Sequence, residues 1–364
     1  MSKNSKLGLK PISKPRTSRR RLGIESLEKR ELMAGNVTAV LNKGTLTITG
    51  DSLGNGFIIE GTDDPKVVRI VGTAQAGGDT TINGSSYIEI SGVTKQINVN
   101  TNGGDDNVVV MGTGGTAMTI NRNLKIETGS GNDSVTIGQA GSTDTEQTSS
   151  PLAQSVNITG YLYIKTEAGD DTIAIANTKV RSLTTIDTGD GDDSLLFPTT
   201  SPDDDDSDSD EEVFAVDITG NIQLRMGDGE DTVSGSNVKG AKDLQIFDYE
   251  GAADIVLTDF TIKSKIQIVT GNELDTIELD NVKTNTMQIA TNDGDDQIHV
   301  DNGEYKSLLI RAGDGYDAIT ISDTKTTSGT QIQGEKGGGT LLLQGYNQLR
   351  KLKKKGLTQL ENIA

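Results

Sequence analysis

A short turn rich in glycine and aspartate returns about ten times along this chain, and most copies lead directly into alternating apolar residues. In one copy, residues 189–195 read GDGDDSL. We take the last Asp of each turn as an anchor, and most successive anchors lie 21 or 22 residues apart. A unit this short cannot bury an apolar face alone, so the repeat predicts units that stack on one another. The anchors are Asp106, Asp133, Asp171, Asp193, Asp231, Ala253, Asp275, Asp296, Asp317 and Gly339.

Apolar pairs at constant distances from the anchor predict the strands. One pair lies nine and seven residues before the anchor, as in Leu162/Ile164, and another lies two and four residues after it, as in Ile173/Ile175. A third and weaker pair lies fifteen and thirteen residues before the anchor. Each pair is separated by one residue, which is the period of a strand with one buried face.

Three short strands in each unit predict an all-β chain that forms a single-stranded parallel β-helix of about ten coils of 21–22 residues. We expect a right-handed helix, because parallel crossovers are nearly always right-handed. A β-roll of tandem nonapeptides is disfavoured, because it needs its motif every nine residues.

The repeat also sets the expected domain boundaries. Irregular coils should cap the first regular coil, because an open end exposes unpaired strand edges. The two 38-residue intervals between anchors predict inserts, and the second insert is strongly acidic. The expected segments are a disordered export segment at 1–36, capping coils at 37–95, the β-helix at 96–345 with inserts near 138–155 and 198–212, and a C-terminal cap at 346–364.

Two further columns support stacking. Thr recurs five residues before the anchor, and Asn or Asp recurs six residues after it. Because Asn side chains both donate and accept hydrogen bonds, a column of them can bond along the axis of the stack. We expect both columns to be structural.

Charge and composition exclude several classes of protein. The net charge of the whole chain is −19, and the body is more acidic than this value because residues 1–36 are basic. An acidic body repels phosphates, so we expect no nucleic-acid partner. The chain has no Cys, which excludes disulfides, thiolate metal sites and a thiol nucleophile. No apolar run is long enough for a membrane-spanning helix, so none is expected.

Residues 19–35 read RRRLGIESLEKRELMAG and resemble the N-terminal export motif of planctomycete surface proteins. Two positions depart from that motif: Lys29 stands where Pro is usual, and Met33 stands where Leu is usual. The resemblance implies export to the cell surface or the medium. The matching residues are Leu27, Glu28, Arg30, Leu32 and Ala34.

The turns carry enough carboxylates to suggest a cation. Stacked carboxylates about 4.8 Å apart repel by roughly 0.9 kcal/mol per neighbour even in water, and oxygen ligands of this kind suit Ca²⁺. The turns resemble the G-x-G-x-D half of haemolysin-type calcium-binding repeats, which implies Ca²⁺ between successive turns. The doubled glycine and the second motif-bearing edge of those repeats are missing, and Gly-Asp also makes good corners without a metal. The candidate ligands are Asp106, Asp133, Asp171, Asp190, Asp192, Asp193, Asp228, Asp231, Asp275, Asp293, Asp295, Asp296, Asp314 and Asp317.

These features favour an exported cell-surface structural or adhesive protein, which binds a cell-envelope or extracellular polymer or protein and is not an enzyme. The alternative is a secreted carbohydrate-active β-helix enzyme, either a polysaccharide lyase or a hydrolase. A glycosidase needs paired carboxylates, and acids are plentiful here. Aromatic residues make up only 3% of the chain, however, and its one histidine, His299, is expected to point outward alone.

Overall fold

The computed structural model describes residues 35–75, 78–113, 116–138, 155–198 and 216–360. Residues 1–34 of the predicted disordered export segment and most of both predicted inserts lie outside these residues. The predicted boundary at residue 36 is slightly too late, because Asn36 already begins the first strand. The described chain is all-β, with two long sheets that are mostly parallel, one short parallel sheet and one antiparallel pair. None of the described segments is a helix long and apolar enough to cross a membrane.

The first sheet has fourteen strands. In spatial order they are β7 (Thr81–Ile82), β1 (Asn36–Asn42), β2 (Thr45–Thr49), β9 (Ile97–Asn100), β12 (Leu124–Glu127), β15 (Leu162–Ala168), β18 (Thr184–Asp190), β21 (Ile222–Asp228), β24 (Asp243–Phe247), β26 (Lys265–Val269), β28 (Lys283–Ala290), β30 (Glu304–Gly313), β32 (Lys325–Gly334) and β34 (Lys353–Lys355).

The second sheet also has fourteen strands. In spatial order they are β8 (Tyr87–Ser91), β4 (Val67–Gly72), β3 (Gly56–Gly61), β10 (Asn107–Met111), β13 (Ser134–Ile137), β16 (Thr172–Ile175), β19 (Ser194–Phe197), β22 (Asp231–Ser236), β25 (Ala253–Thr258), β27 (Thr276–Asp280), β29 (Gln297–Asp301), β31 (Asp317–Ser322), β33 (Gly339–Gln344) and β35 (Thr358–Leu360).

A third sheet has five strands and contains the weaker apolar pair predicted from the sequence. Its strands are β11 (Met118–Ile120), β14 (Val156–Ile158), β17 (Thr178–Val180), β20 (Val216–Ile218) and β23 (Val238–Lys239). A separate antiparallel pair consists of β5 (Ala74–Gln75) and β6 (Gly78–Asp79).

From β9 onward the chain visits the first and second sheets in turn, and each new strand pairs in parallel with the strand one repeat earlier. Equivalent positions of the repeat lie opposite each other. Leu124 pairs with Leu162 in the first sheet, and Asp231 pairs with Ala253 in the second. The choice of Ala253 as the sixth anchor, over its neighbour Asp254, is therefore confirmed.

The core consists of the apolar pairs that the repeat predicts. The side chains of Leu162, Ile164, Ile173 and Ile175 are fully buried, and the equivalent positions of other repeats join them in one continuous cluster. Because each pair alternates with polar residues, the outer faces of the sheets stay open to solvent.

The opening segment differs from the coils expected there. The capping coils expected at 37–95 are replaced in part by hairpins, because Ile48 pairs with Ala39 and Ile70 pairs with Ile59, both antiparallel. The first hairpin turns through Lys43 and Gly44, which both have positive φ, and such two-residue turns match the twist of antiparallel strands. At the other end, β34 and β35 extend both sheets with residues of the predicted C-terminal cap.

Candidate functional site

The aspartate turns lie between the strands of the first and second sheets, and their glycines allow neighbouring turns to approach closely. Gly191 lies two residues before the anchor and has a φ of 133°. A Cβ at this position would lie 2.2 Å from the carbonyl oxygen of Gly169 in the preceding turn. Glycine is therefore required both for the backbone conformation and for the stacking of turns.

The anchor carboxylates form a ladder of hydrogen bonds to the backbone. The N–H of Asp171 donates to Oδ1 of Asp193 at 2.8 Å, and the N–H of Asp193 donates to Oδ1 of Asp231 at 2.8 Å. Ala253 has no carboxylate but still donates its N–H to Oδ1 of Asp275 at 2.9 Å. The same bond joins these further pairs: Asn55 to Asp106, Asp106 to Asp133, Asp133 to Asp171, Asp275 to Asp296, and Asp296 to Asp317.

A second ladder runs beside the first in the opposite direction. It uses the exposed residue just before the anchor. The N–H of Asp192 donates to Oδ1 of Asp170 at 3.1 Å, and the N–H of Glu230 donates to Oδ1 of Asp192 at 2.9 Å. Tyr316 and Asp295 make the same bond at 2.7 Å. Each such turn is therefore held to its neighbours on both sides by carboxylates.

The predicted threonine column also bonds along the stack. Thr166 Oγ1 donates to the carbonyl oxygen of Thr188 at 3.0 Å, and Thr291 Oγ1 donates to that of Ala312 at 3.2 Å. These side chains are fully buried, so the bonds satisfy hydroxyl groups that would otherwise destabilise the core.

The column six residues after the anchor has a backbone role that the sequence analysis missed. Asn177, Asn281, Asn302 and Asp323 all have φ between 45° and 50°, and Asn and Asp tolerate this left-handed conformation better than most residues. The predicted bonding along the stack occurs where Asn281 Nδ2 donates to Oδ1 of Asp259. The recurrence of Asn or Asp at a corner was the signal for the left-handed backbone.

Burial changes the acidity of the anchors. Desolvation raises the pKa of Asp133 and Asp296 to about 7, and that of Asp171 and Asp193 to about 6. Hydrogen bonds from backbone N–H groups and threonines lower these pKa values, but by less than desolvation raises them. In the described residues, the Oδ2 atoms of most anchors are buried without a hydrogen-bond partner. A proton on Oδ2 would remove the buried charge and leave Oδ1 free to accept the backbone N–H.

One buried carboxylate was not singled out from the sequence. Asp248 occupies the threonine position of the repeat whose anchor is Ala253. It is 1% exposed, and neither of its carboxylate oxygens has a hydrogen-bond partner in the described structure. Desolvation, together with the carboxylates of Asp231 and Asp275, raises the pKa of Asp248 to about 8. The signal in the sequence was a double change within one repeat: Asp248 stands where Thr is usual, and Ala253 stands where the anchor Asp is usual.

The structure separates the predicted calcium ligands into two groups. The anchors Asp106, Asp133, Asp171, Asp193, Asp231, Asp275, Asp296 and Asp317 are buried, and one oxygen of each accepts a backbone N–H. The exposed or half-buried group comprises Asp190, Asp192, Asp228, Asp293, Asp295 and Asp314.

The arrangement of the side chains in both groups bears on the predicted calcium sites. Across the described ranges, no group of three or more Asp, Glu, His or Cys residues is arranged to hold a metal ion. The buried anchors fit a role in the backbone ladder, and the exposed carboxylates stack in rows, as Asp190 does against Asp228. Calcium binding therefore stays a prediction of the sequence.

A polar cleft lies at another corner of the described chain. Its volume is about 620 Å³, and its lining includes Asp280, Asn302, Glu304, Asp323 and the strongly exposed Tyr346. His299 is exposed on the outer face of β29, opposite Glu278 and Thr320 of the neighbouring strands. It is not among the residues that line the cleft.

A comparison with known families identifies the N-terminal segment. A family model described as planctomycete extracellular matches residues 18–37, which include the predicted export motif. No curated protein and no solved structure matches the chain. The chain thus carries the N-terminal motif of planctomycete extracellular proteins, and it is a secreted or cell-surface protein.

Proposed function

We propose that this chain is an exported structural or adhesive protein whose sheets wind as one right-handed parallel β-helix of about ten coils. The in-register parallel pairing of successive repeats supports this winding. The expected partner is a cell-envelope or extracellular polymer or protein. The extracellular motif at residues 18–37 supports that location.

The observation that carries this proposal is the repeated use of one residue for one structural task. From Asn55 to Asp296, carboxylates of successive turns accept backbone N–H groups of their neighbours, except that Asp231 donates to the carbonyl oxygen of Ala252 because Ala253 has no carboxylate. A catalytic site concentrates unusual residues at one place, whereas these acids recur at nearly every turn. The regular stack suits a rigid extended element.

Binding to the cell envelope tests the adhesive role. We expect the purified full-length chain to sediment with envelope fragments and secreted polymer from a planctomycete, and to stay in solution when those fractions are absent. A heat-unfolded sample is the control for non-specific trapping. Equal recovery of folded and unfolded protein, or no recovery of either, would contradict the adhesive role.

Calcium binding is proposed only for the exposed carboxylates of the turns, such as Asp190, Asp228 and Asp293. A ligand whose free concentration is ten times its dissociation constant stabilises the folded state by about 1.4 kcal/mol per site. With an affinity typical of extracellular modules, several millimolar Ca²⁺ should raise the melting temperature. Mg²⁺ at the same concentration is the control, and an unchanged midpoint after chelation would exclude calcium.

The alternative function is a carbohydrate-active enzyme, and the polar cleft is the best candidate for its active site. Asp280, Glu304 and Asp323 supply carboxylates there, and the exposed ring of Tyr346 offers a surface for a sugar. An enzyme at this cleft would release reducing or unsaturated sugar ends from a polysaccharide, and E304Q or D280N would abolish that release. Activity that survives both substitutions would place the chemistry elsewhere.

A further inference from the structure

Six of the ten repeats of the described chain carry a basic residue at one corner, and exposed acids recur at the corner of the aspartate turns. The positions eleven and twelve residues before the anchor form what we call the basic corner, and the exposed acids of the turns form the acidic corner. Charged residues at the basic corner are all basic and exposed: Lys95, Arg122, Arg181, Lys242, Lys263 and Lys306. The acidic corner contains Asp170, Asp190, Asp192, Asp228, Glu230, Glu250, Glu273, Asp293 and Asp295.

Both corners are ordered rows that follow the stack. At the basic corner, Lys242 donates its backbone N–H to Gly220, and its carbonyl accepts from Ser264 at 2.8 Å. At the acidic corner, Asp190 pairs with Asp228, and Asp228 bridges to Glu250. Successive strands lie about 4.8 Å apart, so equivalent positions of the two rows lie at the same level of the stack. The basic row carries a charge in six of the ten repeats.

The outer face of the first sheet lies between these corners and is nearly free of charge along its middle row. This row lies eight residues before the anchor. From β9 to β32 its one charged member is Lys125, which pairs with Glu127 at 2.7 Å. Four successive members are glutamines, and Gln223 Nε2 donates to Oε1 of Gln245 at 3.1 Å. An amide both donates and accepts, so this row is complementary to itself.

We infer that this face binds a second copy of the chain, with both stacks pointing the same way about a two-fold axis parallel to them. This rotation places the acidic corner of each copy opposite the basic corner of the other. It also places each coil at the same height along the stack as the same coil of the other copy. Asp190 then faces the partner's Arg181, and Glu250 faces the partner's Lys242. The inference rests on the proposed winding and names one partner of the proposed structural element.

The same charges exclude the competing arrangements. Stacks packed in opposite directions on this face would bring acidic corner against acidic corner. In the repeats from Asp259 onward, the second sheet is bordered by acids on both sides, because its other corner carries Asp259, Asp280, Asp301 and Asp323. Face-to-face packing of that sheet therefore brings like charges together in either direction.

The size of the face suffices for a specific dimer. Ten strands from β9 to β32 span about 48 Å, and five residues of each strand span about 16 Å. The footprint of about 770 Å² per copy, or about 1,500 Å² in total, is close to that of a standard interface.

The acidic corner already accepts one basic side chain from within the chain itself. Lys336 Nζ lies 3.2 Å from Oδ2 of Asp314, and this contact raises the pKa of Lys336.

Charge reversal tests the inference on the full chain. We expect a dimer in sedimentation equilibrium. Reversing three acids (D190K, E250K and E273K) or their three coil-matched bases (R181E, K242E and K263E) should each raise the dimer dissociation constant at least tenfold. An equimolar mixture of the two triple variants should form heterodimers, because each carries the charge that the other has lost. The variant with all six changes should dimerise like the native chain.

Two controls separate this inference from the proposed function. E278K reverses an exposed charge on the second sheet and should leave the dimer unchanged. Q245C should join two copies through a short bis-maleimide, whereas E278C should not, and the native chain has no Cys to compete. A folded native chain that stays monomeric, or triple variants that dimerise normally without complementation, would overturn the dimer. A native chain that lacks the circular dichroism spectrum of β-sheet would instead overturn the proposed winding.

Discussion

The carboxylate of Asp193 is 1% exposed and accepts the backbone N–H of Asp171, and its own N–H donates to Asp231. At the scale of the residue, Asp193 therefore connects three successive turns. A buried carboxylate is costly unless its charge is compensated. The ladder compensates one oxygen with a backbone N–H, and desolvation is the largest cause of the raised pKa of Asp193.

Substitution of Asp193 should separate its hydrogen bond from its charge. D193A leaves the N–H of Asp171 buried without an acceptor, and we expect a loss of about 1–3 kcal/mol in the free energy of unfolding. D193N keeps an oxygen that can accept this N–H and removes the titratable group, so its loss should be smaller at pH 8. Chemical denaturation measures both. Equal losses for the two variants would contradict the role of Oδ1.

Asp248 should destabilise the folded chain most at high pH. Its folded-state pKa of about 8 lies above the ordinary value of 3.8, so the folded state loses stability as the pH rises towards 8 and its proton is lost. D248T restores the residue usual at this position of the repeat. We expect it to raise the free energy of unfolding at pH 9 by at least about 1 kcal/mol, with a smaller gain at pH 5. A gain independent of pH would contradict the buried charge.

At the scale of the element, the turn between two strands depends on glycine for two separable reasons. Gly191 has positive φ and lies where a Cβ would meet the carbonyl oxygen of Gly169. Gly338, just before the last anchor, has a φ of 95° but open space around the position of a Cβ. The regular turns thus combine a conformational requirement with a packing requirement.

Alanine at the two glycines should distinguish these requirements. G338A introduces only the unfavourable φ, which costs about 1 kcal/mol. G191A adds a clash with the neighbouring backbone, and we expect a clearly larger loss of stability and weaker hydrogen-exchange protection in the adjacent turns. Thermal unfolding of both variants measures the difference. Similar losses would mean that stacking of the turns tolerates a side chain.

At the scale of the whole molecule, the anchors act together on the pH dependence of stability. Burial raises the pKa of Asp133, Asp231 and Asp296 to about 7, and that of Asp106 and Asp317 to about 6. A carboxyl with a raised folded-state pKa binds protons more tightly in the folded chain than in the unfolded chain. Its contribution to stability is complete below pH about 4 and is lost as the pH rises through its folded-state pKa.

The chain should therefore be more stable at pH 5 than at pH 8, in contrast to proteins whose paired carboxylates make them unfold in acid. Differential scanning calorimetry at low ionic strength should show the melting temperature falling between these values. Replacing several anchors by Asn should flatten the dependence. A melting temperature that rises from pH 5 to pH 8 would contradict the raised pKa values.

The spacing of glycine, aspartate and apolar residues by itself determined the strands of the two long sheets, the core and the pairing of repeats, even where Ala253 and Gly339 replace the anchor aspartate. The third strand predicted for each unit forms in only five repeats of the described chain. Periodicity reports such features because each stacked unit repeats the same local geometry. The antiparallel opening hairpins lack the repeat and escaped this reasoning.

Only the tertiary structure decided what the Asp193 side chain and its equivalents do. The sequence suggested that these acids were free to bind a cation, because spacing alone does not reveal which side of a turn is buried. Packing of consecutive turns places the anchors inside, where a backbone N–H is the partner, and leaves Asp190 and Asp192 outside. The role of each acid follows from burial, and burial follows from contacts between residues far apart in the chain.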